Sequence, residues 1–365
     1  MYIHKTERQN NEYKFWAANI VPRTGDNYFM KSTNHTQLTA PEVANLWASY
    51  QNDTMAMYMI SYLAKRTEDK EIRSLLEFAV QLAKEHVAVV SDIFKKGNYP
   101  IPIGFTKEDV NLDAPKLYSD KLCLYYMIDM AKFALPAYGL ALSGGTREDV
   151  IAFYSKGLDE TQELFKRATR LTMKKGIFNF APTIPKPDKV DFIKRQDFLS
   201  GWFDKRPLVG MEISALVYNT KRASLGEALV TGFSQTAQST AVRKFFERGK
   251  KLTKKHLDTL GSLLIEDDLS PGTINLTAEV TTSTTPPFSD KLMMFHATTF
   301  TASGLAQYGY AASSSPRRDL GLTYARLMAE TGLYAEDGSN IMIDNGWLEQ
   351  PPEAADRKKL AEQGK

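Results

Sequence analysis

Histidines and carboxylates are the residues of this chain whose types and spacing could do chemistry. Of five histidines, His86 and His256 follow Glu42 and Glu212 at one common interval. Imidazole and carboxylate groups on packed helices can hold iron, manganese or zinc. A carboxylate-bridged di-metal bundle needs a Glu from each of two helices and Glu-x-x-His from each of the other two, because residues three apart share a helix face. The chain lacks that motif. Ala83, Thr253 and Met293 stand three residues before His86, His256 and His296, and His4 and His35 lie near the N-terminus. The pattern argues against the standard di-metal site and leaves a degenerate one open.

His86 still requires partners. Leu75, Ala79, Leu82, His86, Val89 and Ile93 follow the rhythm of a core seam, and Phe245, Gly249, Leu252, His256, Thr259 and Leu263 repeat it. A buried imidazole must satisfy its ring nitrogens. Counting turns puts His86 roughly 24 Å down its helix, level with Tyr50–Asp53 on the first helix and Leu158–Glu160 on the fourth. Glu160, and Glu330 in the second half, are therefore the favoured partners. Asp53 is a lesser candidate, and so are Glu42 and Glu212. Glu42 lies roughly 12 Å away in level, which disfavours a direct bond to His86. His296 is the last candidate, and Tyr126 stands at its counterpart. The mid-bundle cluster reads either as hydrogen-bonded structural pairs or as a metal or small-ligand site.

Other chemistry finds no support. The one cysteine, Cys123, sits among Leu122, Leu124 and Tyr125, so it reads as a buried thiol rather than a nucleophile, and no internal disulfide can form. Phosphate-binding glycine loops, the nucleophile-elbow motif and Cys/His metal spacing do not occur.

The elements that position these residues come in two copies. Residues 40–182 slide onto 210–352 without a gap, at an offset of 170. Ser119-Asp120-Lys121-Leu122 recurs as Ser289-Asp290-Lys291-Leu292, and Tyr138-Gly139, Arg147, Asp149 and Tyr154 recur at Tyr308-Gly309, Arg317, Asp319 and Tyr324. This is the mark of a duplicated domain. Helical periodicity predicts helices over 40–65, 70–96, 116–143 and 147–175, then 210–235, 240–266, 286–313 and 317–337, with no strand. Thr39-Ala40-Pro41-Glu42 is a helix start, with a Thr cap, an early Pro and an acidic first turn.

Short links join the first helix to the second and the third to the fourth. Between the second and third lie 97–115 and 267–287. A helix of some 26 residues is roughly 39 Å long, and 97–115 fully extended reaches roughly 60 Å, enough to return along the bundle. Two hairpins joined by a long crossover is ferritin-like connectivity. The expected division is an extension over 1–38, bundle one over 39–182, a linker over 183–207, bundle two over 208–355 and a tail over 356–365. Phe192, Phe198, Leu199, Trp202 and Phe203 make the linker too apolar for a free tether, so it is expected to pack between the bundles.

A net charge of +3 and a pI near 8.6 are too mild for a nucleic-acid partner. The basic run from Arg248 to His256 reads as a solvated helix face. Met127–Leu142, the most apolar stretch, is broken by Asp129, Lys132 and Pro136, so no membrane insertion is expected. With no apolar leader visible and a lone thiol, the expected location is cytoplasmic.

The stretches Pro100-Ile101-Pro102-Ile103-Gly104-Phe105, Pro287-Phe288-Ser289-Asp290-Lys291-Leu292-Met293-Met294-Phe295-His296 and Asn345-Gly346-Trp347-Leu348-Glu349-Gln350-Pro351-Pro352 resemble the domain-of-unknown-function 3231 (DUF3231) family of spore-forming bacteria. The resemblance runs over about residues 36–360. It implies an all-α chain of two tandem ferritin-like four-helix bundles, similar to spore coat protein F, and an association with spores. It carries over no catalytic residues.

Two functional readings follow. The first is a non-enzymatic structural or interaction protein with protein partners, no cofactor and a coat-like, spore-associated role. The alternative is a ligand-binding or oxidoreductase bundle holding Fe, Mn or Zn at the mid-bundle His and Glu residues.

Overall fold

A computed structural model describes residues 37–363, apart from 203–204 and 273–274. The chain from Thr39 onward forms one compact unit. The expectations for the N-terminal extension and for Phe203 fall outside the described residues, except at its last two positions.

Four long helices make the first half: α1 (Ala40–Arg66), α2 (Lys70–Lys96), α3 (Asp120–Ser143) and α4 (Glu148–Lys174). Four more make the second: α5 (Gly210–Thr236), α6 (Thr240–Ile265), α7 (Asp290–Ser314) and α8 (Arg318–Asp344), and a short α9 (Arg357–Gln363) follows. Among the described residues there is no strand, and no helix is long and apolar enough to cross a membrane.

Local chemistry sets the helix ends. Thr39 and Glu42 form a capping box at α1, and Asp69 accepts from two first-turn amides of α2. The third helix begins four residues later than its apolar periodicity predicts, at the Ser119-Asp120 pair whose residue types mark a capped helix start. Ser119 is extended there, and its hydroxyl accepts from Leu122 N, so it is the cap. Helix α8 runs seven residues past its expected end, straight through Gly338. A side chain at Gly338 would meet the Phe245 ring at 2.9 Å, so this glycine serves packing rather than termination.

The hairpins α1–α2 and α3–α4 pack into one bundle, and α5–α6 and α7–α8 into the other. Asp120, at the start of α3, accepts from Glu68 N and Asp69 N in the α1–α2 turn. The chain leaving the far end of α2 has therefore come back to the end where α2 began, as the crossover reading requires. Asp290 does the same with Gln238 N and Ser239 N.

The two crossovers pair with each other. Val110 bridges Phe288, and Tyr118 bridges Val280. Because 110 and 280 are equivalent, as are 118 and 288, each crossover gives the other the contact it receives, which is the isologous pattern of a two-fold axis. The side chains repeat it: Ser119 Oγ donates to Glu279 at 2.7 Å, and Ser289 Oγ to Asp109 at 2.7 Å. At the ends, Glu349 accepts from Ile103 N and Gly104 N, while its counterpart Asn179 donates to Gly272 O. A single buried cluster draws Met55, Met59 and Tyr62 from one bundle and Leu229, Phe233 and Met293 from the other.

The linker departs from expectation. Phe192 is 83% exposed and Trp202 53%. A short 3-10 turn spans Gln196–Leu199, and Phe198 serves mainly as a platform for the Arg206 guanidinium, 3.9 Å from the ring centroid. The crossovers, with Tyr118 and Phe288 wholly buried, already occupy the space between the bundles.

Candidate functional site

The seam rhythm carries His86 of α2 and His256 of α6 into their bundles, where 6% and 3% of each residue remain exposed. His86 Nε2 lies 2.9 Å from Glu160 Oε2 on α4, and His256 Nε2 lies 3.1 Å from Glu330 Oε2 on α8. The outer oxygens face lysines: Lys156 reaches Glu160 at 3.1 Å, and Lys255 reaches Glu330 at 2.7 Å. On the other side, the Tyr138 hydroxyl meets His86 Nδ1 at 2.9 Å, and the Tyr308 hydroxyl meets His256 Nδ1 at 3.1 Å. Each level is thus a Lys–Glu–His–Tyr chain running from solvent to core. These tyrosines, which turn counting overlooked, carried a signal: each stands at the same interval after its histidine in both halves.

One substitution separates the two levels. Asp53 Oδ1 lies 3.5 Å from His86 Nδ1, whereas Ala223 holds the equivalent position in the second half. Burial opposes protonation of both rings. At His86 it is outweighed by the hydrogen bonds and charges of Asp53 and Glu160, and the imidazole is raised above its ordinary value. Burial also pushes the Asp53 carboxyl up, partly offset by His86. At His256 burial wins over the single carboxylate of Glu330, and the ring is lowered.

The lesser candidates lie elsewhere. Glu42 is buried at the start of α1, where it accepts from Thr39 N, Thr146 N and Arg147 N. Burial acts to raise its carboxyl, but these backbone donors overcome it and hold it at about 2. Glu212 accepts from Arg206, Val209 N and Arg317 N. Both tie helix ends together and do not reach the histidines. His296 Nε2 meets Tyr126 Oη at 3.0 Å on the two-fold axis, so the two equivalent positions touch each other. Burial, then Arg222, brings the His296 imidazole down to about 4. Among the described residues no three His, Cys, Asp or Glu side chains converge as a metal site.

Two spaces adjoin these levels. A cavity of about 70 Å³ in the second bundle is lined by His256, His296, Phe300 and Tyr308. A more open cleft of about 200 Å³ lies between α1 and α3, beside Asp53 and Tyr138.

Fold and site together define a tandem helical protein whose two bundles are interlocked and whose interior histidines are held by its own side chains. The family described as "Protein of unknown function (DUF3231)" matches residues 28–190 and again 197–360, and the chain belongs to it. No curated protein matches the chain. Among solved structures, the crystal structure of a "putative spore coat protein" (BH2358) from Bacillus halodurans C-125 is similar over 42% of this chain and 97% of that one, with 16% identity and a TM-score of 0.35.

Proposed function

We propose that this protein is a non-enzymatic structural block that acts through protein partners in a spore-associated, coat-like role. The observation that carries the reading is the closure of the mid-bundle clusters. Both ring nitrogens of His86 and of His256 are engaged by a Tyr and a Glu of the chain, so the polar groups most able to do chemistry are used to hold helices together. The apolar side chains presented along the linker, Val190, Phe192, Ile193 and Trp202, supply a surface for partners. The spore association rests on the family resemblance, and the cytoplasm of the spore-forming cell is the proposed site of action. In this reading 39–182 and 208–355 are the two structural domains, 183–207 is a presented strap between them, and 356–365 is a tail.

Metal analysis of protein purified without chelator tests the proposal. Iron, manganese and zinc are expected well below stoichiometry, with no change in melting temperature on adding chelator. Near-stoichiometric metal at the histidine levels overturns it in favour of an oxidoreductase or metal-carrier reading.

A further inference from the structure

All four helices of the second bundle, α5 to α8, contribute walls to its cavity of about 70 Å³. Comparing the repeats shows where the space arises. Ala297 stands where the first repeat has Met127, Ala223 where it has Asp53, Val230 where it has Ile60 and Gly304 where it has Ala134. All four of these smaller residues line the cavity, whereas Met127 and Ile60 are buried in the first bundle. Two other glycines of the wall leave no room. A Cβ on Gly249 would overlap the Tyr334 hydroxyl, and one on Gly226 would lie 3.0 Å from the Phe300 ring. A Cβ on Gly304 would approach only Arg222 Nε, at 3.8 Å. The space is thus what the lost methionine, aspartate, isoleucine and alanine side-chain atoms leave behind.

The polar groups of the wall are engaged by the chain itself. Thr253, Thr301 and Thr331 donate to carbonyls one turn back on their own helices, and Tyr334 donates to Phe245 O. His256 is held by Tyr308 and Glu330, and His296 by Tyr126. Among the described residues, no wholly buried side-chain donor or acceptor of this wall lacks a partner. A buried water makes about three hydrogen bonds to groups that would otherwise go unsatisfied, and apolar cavities stay dry. The volume exceeds the roughly 10–15 Å³ that one water needs and falls short of the roughly 150 Å³ that admits benzene. The space suits a molecule smaller than benzene, without hydrogen-bonding groups, held by dispersion contacts. Thr253, Phe300 and Gly304 are only half-buried, which brings the cavity close to the surface on their side.

We infer that the interior of the second bundle binds a small apolar molecule, a dissolved gas or a short hydrocarbon. Ala297, Ala223 and Gly304 give it room, and Val230 and the Phe300 ring give it contact surface. The guest takes in the second repeat the volume that the Met127 side chain takes in the first. This site is independent of the structural role proposed above.

NMR titration of the full chain with xenon, propane and benzene tests it. Xenon or propane should shift the signals of Ala223, Val230, Ala297 and Thr301 saturably. Binding of xenon alone narrows the class to gases, and binding of propane extends it to hydrocarbons. Benzene should leave these signals in place. Ala297→Met restores the residue of the first repeat and should abolish the shifts while the melting temperature holds or rises. If Ala297→Met fails to fold, Val230→Ile combined with Gly304→Ala decides in its place and should weaken binding. Shifts that do not saturate or that lie away from this wall overturn the inference. So do binding unmoved by the filling substitutions, benzene binding as tight as xenon, and a resident water that neither xenon nor propane displaces.

Discussion

Tyr126 and His296 occupy the same position in the two repeats and bond to each other, Oη to Nε2, at 3.0 Å. Burial keeps this imidazole neutral, at about 4 against the ordinary 6.5. The unfolded chain therefore binds a proton that the folded chain refuses. Stability is complete above about pH 6.5 and falls as the pH drops toward 4, by roughly 3 kcal/mol from this residue. Urea midpoints between pH 4 and 8 should show that slope, and His296→Phe should flatten it.

The mid-bundle histidines should titrate in opposite directions. By NMR, His86 should titrate above the ordinary histidine value and His256 below it. His86 stabilises below the unfolded value and loses that contribution as the pH rises through its own raised value; His256 destabilises as the pH falls below the unfolded value. Asp53→Ala copies the second repeat and should bring His86 down. A His86 titration unmoved by that change would contradict the role given to Asp53.

Removing the His86 imidazole leaves the Glu160 carboxylate and the Tyr138 hydroxyl without their partner. His86→Ala should cost about 2–4 kcal/mol in denaturant unfolding. A variant as stable as the parent would show that the Lys–Glu–His–Tyr chain holds nothing together.

Between the bundles, Tyr118 and Gly232 fit because one is large and the other has no side chain. A Cβ on Gly232 would lie 2.5 Å from the Tyr118 oxygen. At their counterparts both side chains are large, and Tyr62 packs edge-on against Phe288 with centroids 5.1 Å apart. Gly232→Ala should destabilise by about 1–3 kcal/mol. Tyr118→Leu in the same chain should recover part of that loss, a coupling that a double-mutant cycle reads directly.

The repeat, the helices and the crossovers were legible because each leaves a local mark: the fixed offset, the 3.6 period, and Pro-rich segments too long for a turn. The His–Glu levels followed from seam rhythm and helix rise. Pairing of the crossovers was not legible, because the contact of Val110 with Phe288 depends on a two-fold axis that no local pattern encodes. The apolar linker misled for the same reason: its composition reports a need for cover, and the crossovers had taken the interior place. Arg222 and Asp129 were also missed. Their repeat counterparts are Asn52 and Thr299, so comparing the halves gives no hint of a buried ion pair.

Reciprocal crossover contacts make the two bundles one cooperative body. Differential scanning calorimetry of the full chain and of His86→Ala tests it most directly. A single two-state transition is expected in both, with calorimetric and van't Hoff enthalpies in agreement and the whole transition shifted down in the variant. Two resolved transitions, with the second bundle melting unshifted when only the first is weakened, would contradict it.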